Sequence, residues 1–284
     1  MVNKHYKKVI SYFAKKASDY DLVDKQLYWS LSDELLKKII GKKIVDNFSR
    51  KKAMIMDAGT GTGRWSLILY NLFKKKGVKT YFDLVDITPQ MLEEAKRKIK
   101  KNHLTQEMKI HVNNIENLSG FKNDSYDIAI SFYNVLSFVE KPRKAIGEIY
   151  KKLRGGGLYA SVVSNKYHAY FFNILTDQGA EISKINASSK VKFNKKMPYI
   201  HCFTPLQIKS IYSDAGFRDV EVIGFPNFIY PNIEETYIVG QSTFHRNILK
   251  SKKNFQKIID IEYKECFNPD SAARGNTLLV IGRK

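Results

Sequence analysis

Cysteine is nearly absent from this chain: Cys202 and Cys266 are the two among 284 residues. They fall in no C-x-x-C or Cys/His spacing, so neither a disulfide framework nor a metal site is expected. Long apolar runs are missing as well. None approaches the ~20 residues that a membrane-spanning helix requires, and the opening residues MVNKHYKK hold no signal-like apolar stretch. A cytoplasmic protein without a membrane partner is therefore expected. Acidic residues are few, 28 against 48 Lys plus Arg, which gives a formal charge of +20. Such an excess raises nucleic acid as a partner, yet only nine of the cations are Arg, and neither an aromatic RNP-like strand nor a GXXG loop occurs. The lysines come in scattered groups spanning 74–76, 96–101, 151–152, 190–196 and 250–253. Several fall on outward faces of expected helices, where a Lys stays solvated. Compositional bias, an anionic acceptor and an RNA acceptor each account for them.

What the chain does hold is a strand that runs straight into a glycine-rich turn, AMIMDAGTGTGRW from Ala53 to Trp65. Ala53 to Met56 form a short apolar run suited to the interior of a parallel sheet, and Asp57 marks its carboxyl end. Gly59, Gly61 and Gly63 let backbone approach a ligand closely, with free N–H groups expected to face it at the start of the next helix. Spacing separates the competing glycine-loop chemistries. A dinucleotide fingerprint needs a small residue three places after Gly61, where Arg64 stands, and a phosphate-cradling loop needs Lys after its last glycine. A second apolar strand, Tyr81 to Val85, ends on Asp86. An acid at that tip is placed to accept both hydroxyls of a ribose.

With these residues the chain resembles the class I S-adenosylmethionine-dependent methyltransferases over roughly residues 8 to 165. The resemblance implies an α/β fold: a Rossmann-like, seven-stranded, mostly parallel sheet with helices on both faces, an antiparallel last strand, and cap or lid insertions. It implies S-adenosylmethionine as cofactor and S-adenosylhomocysteine as product. Asp57, Ala58, Gly59, Thr60, Gly61 and Gly63 match the motif that wraps the methionine moiety. Asp86 matches the ribose acid, Ile87 the residue packed on adenine, and Asn114 stands where many members carry an adenine-binding Asp. Met91, Ile115 and Phe132 complete the implied cofactor set. Tyr133 and Asn134 would lie beside the reactive methyl. Phe13, Ala17, Tyr20 and Asp21 fit a lid pattern, in which Tyr20 would touch the cofactor or the acceptor.

The organisation expected is an N-terminal helical lid over 1–50, a cofactor-binding core over 51–165, a cap over 166–203 and a core continuation over 204–226. A second cap follows over 227–276, with a helix from about Ile233 to Cys266, and a final strand over 277–284 runs antiparallel at the sheet edge. A turn is expected at Gly155 to Gly157. Thr204 and Pro205 open a helix that Gly216 stops. Tyr28, Tyr167 and Tyr199 join Tyr133 and Asn134 as acceptor-site candidates. His201, His168, Tyr20 and Tyr133 are the candidate bases. A sulfonium methyl moves in line to a nucleophile, so positioning supplies much of the rate, and a hydroxyl or ammonium acceptor needs a base in addition. The expectation is O-methylation of a carboxylate or hydroxyl on a small molecule or peptide, in natural-product or peptide tailoring, with an anionic acceptor as one form. RNA methylation, N-methylation of a small amine or peptide, and a binding protein without turnover are the alternatives.

Overall fold

The computed structural model describes residues 3–230 and 247–284. Its centre is a seven-stranded sheet in the order β3-β2-β1-β4-β5-β9-β8. These strands are β1 Lys52–Ala58, β2 Lys79–Asp86, β3 Met108–Val112, β4 Tyr126–Ser131, β5 Leu153–Ser164, β8 Arg218–Phe225 and β9 Thr277–Arg283. β1 pairs in parallel with β2 and β4, and β4 with β5. The chain reverses direction beside β1, where the next strands are laid to its other side, and this topological switch opens a crevice at the strands' carboxyl ends.

Helices cover both faces. On one, α3 (Arg64–Lys75) presents Trp65, Leu69 and Phe73, at four-residue spacing, to Ile55 and Leu84, beside α2 (Leu27–Ile40) and α4 (Pro89–Lys101). On the other, α6 (Pro142–Lys152) and α9 (Pro205–Asp214) bury Ile146, Ile149, Ile208 and Tyr212 against Met56, Tyr159 and Val280. α9 carries a full capping box between Thr204 and Gln207, with Pro205 at the first helical position. Gly216 follows at φ 103°.

Two expectations about the sheet are corrected. The last strand is antiparallel but does not lie at the edge: β9 pairs with both β5 and β8, and β8 is the edge. The reason is legible in burial, since β9 is buried on both faces except at its last residue while β8 begins exposed. The glycines 155–157 sit inside β5, where the register with β4 jumps from Tyr126↔Leu153 to Ile128↔Leu158 and Gly156 takes φ 78°.

The N-terminal segment forms α1 (Lys4–Ala14), a 3-10 stretch Ala17–Lys25 and α2. Residues 166–203 form α7 (Lys166–Leu175), α8 (Gly179–Ser188) and the two-stranded pair β6 (Lys190–Val191) and β7 (Ile200–His201). The helix expected from Ile233 to Cys266 is not continuous. Its first part, to residue 246, lies outside the described residues, and the remainder is broken at Ser251, which caps the helix Lys252–Glu265. That helix packs on α2 through Ile259 against Leu31, joined by Leu249 of the short helix Asn247–Lys250. Glu262, fully buried, accepts the amide N–H groups of Asn227, Phe228 and Ile229.

Candidate functional site

The crevice at the carboxyl ends of β1, β2 and β4 deepens into a cavity of about 300 Å³ under α1 and the 3-10 stretch. One end is built by the glycine loop. The amides of Gly59 and Thr60 donate to Val85 O at 2.7 and 3.0 Å, and that of Gly61 donates to Asp86 Oδ2 at 2.8 Å. The loop uses these three N–H groups to join the tips of β1 and β2. Asp86 also accepts the Thr88 N–H through Oδ1 at 2.8 Å. Burial raises its carboxyl above the ordinary range, against these hydrogen bonds. Asp57 lies behind the loop. It accepts the hydroxyls of Thr60 and Ser66 at 2.7 and 2.6 Å, and burial pushes its carboxyl up to about 6.

Of the expected cofactor residues, Tyr20, Gly59, Thr60, Gly61, Asp86, Ile87, Met91, Asn114, Ile115 and Phe132 line this cavity together. Asp57, Ala58 and Gly63 do not. They shape the loop from behind: Ala58 O accepts the Ser131 hydroxyl, and a side chain at Gly63, at φ 71°, would meet Ala95 and Leu84. Asn114 turns its side-chain oxygen to the Glu116 N–H at 2.9 Å.

The other end is aromatic. Trp29, Trp65, Phe132 and Tyr133 meet there, with ring centroids 5.0–6.1 Å apart for the pairs Trp65–Phe132, Trp65–Tyr133 and Trp29–Tyr133. Tyr133 and Asn134 occupy consecutive positions at φ 57° and 68°, a conformation that costs a non-glycine residue on the order of 1–3 kcal/mol. Backbone and side-chain bonds of Asn134, to Val162 O and from the Ser164 hydroxyl, hold the turn.

Three expected acceptor residues are elsewhere. Tyr28 is fully buried and turned away from the cavity, and its neighbour Trp29 takes the place. Tyr167 is about half exposed on α7, and Tyr199 bonds Glu181 and Lys184 on the cap surface. Of the candidate bases, His201 is off the cavity and donates through Nε2 to Glu140 O at 3.2 Å. His168 does line the cavity, and burial pushes its imidazole down to about 4, so it is neutral at working pH. Tyr20 lines it too, but burial raises its phenol well above the ordinary value, which keeps it protonated and unsuited as a base.

Residues missed in the sequence include Asp33, Arg64, Tyr6 and Glu116. Trp29 and Asp33 lie four apart on one helix face, which is the signal that would have found them. Asp21 and Asp24 of the 3-10 stretch tie the lid to the loop: Asp21 accepts from the Thr62 hydroxyl at 2.7 Å and from Lys98 at 2.5 Å, and Asp24 from Arg64. On α1, Tyr6 donates to Glu116 and accepts the Glu140 N–H at 3.1 Å. A bond of this kind to a carboxylate is worth on the order of 1.5–3 kcal/mol. Tyr6→Phe is therefore expected to speed cofactor release by about ten- to a hundredfold, read by stopped-flow displacement. An unchanged off-rate would mean that α1 does not gate the cavity.

Among the described residues no group of three or more His, Cys, Asp or Glu is placed to hold a metal, and no helix is long and apolar enough to cross a membrane. Of the lysines, Lys16 lines the cavity, and none of the five scattered groups does.

Residues 55–157 match a family model described as a methyltransferase domain. The chain is 26% identical over 234 residues to the ubiquinone/menaquinone biosynthesis C-methyltransferase UbiE of Rickettsia bellii, covering 77% of this chain and 88% of that protein. Among solved structures it is similar to a Thermotoga maritima S-adenosylmethionine-dependent methyltransferase described as a possible histamine N-methyltransferase, at 14% identity and a TM-score of 0.54, over 97% of this chain and 99% of that one. It is also similar to phosphoethanolamine N-methyltransferase 2 of Haemonchus contortus in complex with S-adenosylmethionine, at 17% identity and a TM-score of 0.56, over 90% of this chain and 52% of that one.

Proposed function

From its membership of the class I S-adenosylmethionine-dependent methyltransferases, to which this chain belongs, we propose that it transfers the cofactor's methyl group to a hydroxyl of a small, flat acceptor. The observation that carries the reading is the aromatic end of the cavity, where Trp29, Trp65, Phe132 and Tyr133 meet beside the glycine loop. Aromatic walls favour a planar acceptor body, and exclusion of water by the lid favours in-line transfer. In this reading Asp86 takes the ribose hydroxyls, Ile87, Asn114 and Ile115 hold the adenine, and Gly59 to Gly61 pass along the methionine end.

The anionic-acceptor and RNA readings lose their support, because the cation excess is not gathered at the cavity. Lys16 is there, but Arg64 is already engaged by Asp24 and Asp33. A peptide acceptor fits by inserting a single aromatic side chain. A cytoplasmic setting fits Cys202 and Cys266, two buried thiols that burial pushes up to about 11 and about 12.

A second reading, methylation of a ring carbon, is favoured by the relatives named as C-methyltransferases, and the same aromatic slot serves it. The test is mass-spectrometric detection of methyl transfer to a panel of phenols, hydroquinones, aromatic amines, aromatic carboxylates, a tyrosine peptide and bulk RNA. A methyl ether on a phenol is the expected product. A carbon–methyl product on the hydroquinone selects the second reading. Methylation of amines or carboxylates alone would contradict both.

A further inference from the structure

Asp33 is the buried acid of the lid, 3% exposed on α2, and it lines the cavity. Its Oδ1 accepts the phenolic O–H of Tyr133, and its Oδ2 accepts from the Arg64 guanidinium. Arg64 also donates to Asp24. An ion pair between lid and core would need only Asp33 and Arg64. It does not require a phenol to be brought to the same carboxylate, on a turn held at positive φ, between the indoles of Trp29 and Trp65.

We propose that Tyr133 and Asp33 form a proton relay for the acceptor, in which Tyr133 touches the acceptor hydroxyl, Asp33 receives the proton through it, and Arg64 positions the carboxylate. The relay rests on the O-methylation reading. As the acceptor oxygen forms its bond to the methyl carbon, the carbon–sulfur bond breaks and its electron pair returns to sulfur. The acceptor's proton passes to the Tyr133 oxygen while the phenolic proton passes to Asp33 Oδ1. The products are the methyl ether, neutral S-adenosylhomocysteine and a protonated Asp33, which then releases its proton to solvent.

The surroundings of Asp33 suit that role. Burial, the largest influence, pushes its carboxyl up to about 6, opposed by the Arg64 hydrogen bond and charge from α3 and by Lys37 on its own helix, and assisted by Asp24 of the 3-10 stretch. Tyr133, from the turn after β4, is its remaining partner. The relay needs the ionised carboxylate, so the rate should rise as pH passes about 6 and level off above it.

The test uses wild type, Asp33→Asn, Asp33→Glu and Tyr133→Phe with S-adenosylmethionine and a graded series of phenols, from weakly acidic 4-methoxyphenol to 4-nitrophenol, which ionises readily in water. Asp33→Asn and Tyr133→Phe are expected to lower kcat on 4-methoxyphenol by about 100-fold or more. They should lose the limb near pH 6, keep their affinity for S-adenosylhomocysteine, and lose less than about tenfold on 4-nitrophenol assayed at a pH where it is already the phenolate and brings no proton to remove. Asp33→Glu should restore part of the rate. Tyr133→Phe leaves the Asp33–Arg64 pair intact and decides the matter if Asp33→Asn fails to fold. Equal losses across the series, or a retained pH limb in Asp33→Asn, overturn the relay while leaving O-methylation standing. If wild type methylates no phenol oxygen, the underlying reading falls and the relay with it.

Discussion

Gly59→Ala is expected to weaken S-adenosylmethionine binding by at least about 100-fold, roughly 3 kcal/mol. Gly59 stands at φ 95°, and a Cβ built on it lies 2.2 Å from Val135 Cγ1 and 2.5 Å from Cγ2. No side chain fits there without moving α5 (Val135–Phe138), which follows directly on the strained turn of Tyr133 and Asn134. Backbone strain at such a φ costs on the order of 1–3 kcal/mol and overpacking a similar amount. Gly61 is less demanding: at φ 54°, its added Cβ would meet Met91 Cε at 3.3 Å, the far end of a flexible side chain. Gly61→Ala should therefore lose much less than Gly59→Ala. Combining Gly59→Ala with Val135→Ala should recover the packing part of the loss and leave the φ part, which a double-mutant cycle by calorimetry separates. Equal losses at Gly59 and Gly61 would mean that the loop rearranges when ligand binds.

Asp86→Ala has the next largest expected effect on the cofactor, a loss of on the order of 1–3 kcal/mol in S-adenosylmethionine affinity. Two consequences add. The amides of Gly61 and Thr88 lose a charged acceptor at 2.8 Å each, so the loop is no longer pinned to the tip of β2. A ribose beside it would also lose its acceptor. Asp86→Asn keeps one oxygen for the Gly61 or Thr88 amide and should lose less. Affinity for S-adenosylhomocysteine should fall in parallel, because the ribose is common to both. An Asp86→Ala protein with wild-type affinity would show that the ligand sits elsewhere.

The glycine-loop end of the cavity was legible because it is local. A strand, a turn and a strand tip each announce themselves over a few residues, and Asp57, Gly59 and Asp86 need only the parallel pairing of β1 and β2 to meet. The aromatic end depends on topology and phase. α2 starts only after the 3-10 stretch ends at Lys25; that geometry sets the helix phase and turns Trp29 to the cavity and Tyr28 to the core. Asp33 and Tyr133 are one hundred residues apart and meet only once the lid is down. The misplaced edge strand had a readable sign, since TLLVIG is a continuous apolar run of the interior type, whereas DVEV in β8 alternates.

The most direct test of the central claim is calorimetric titration of the purified protein with S-adenosylmethionine and S-adenosylhomocysteine, with NAD as control. Micromolar, one-to-one binding of both sulfur cofactors and none of NAD, weakened as above in Gly59→Ala and Asp86→Ala, is the predicted result. Binding of NAD in their place, or binding of the sulfur cofactors that neither substitution changes, would contradict the assignment of the cavity.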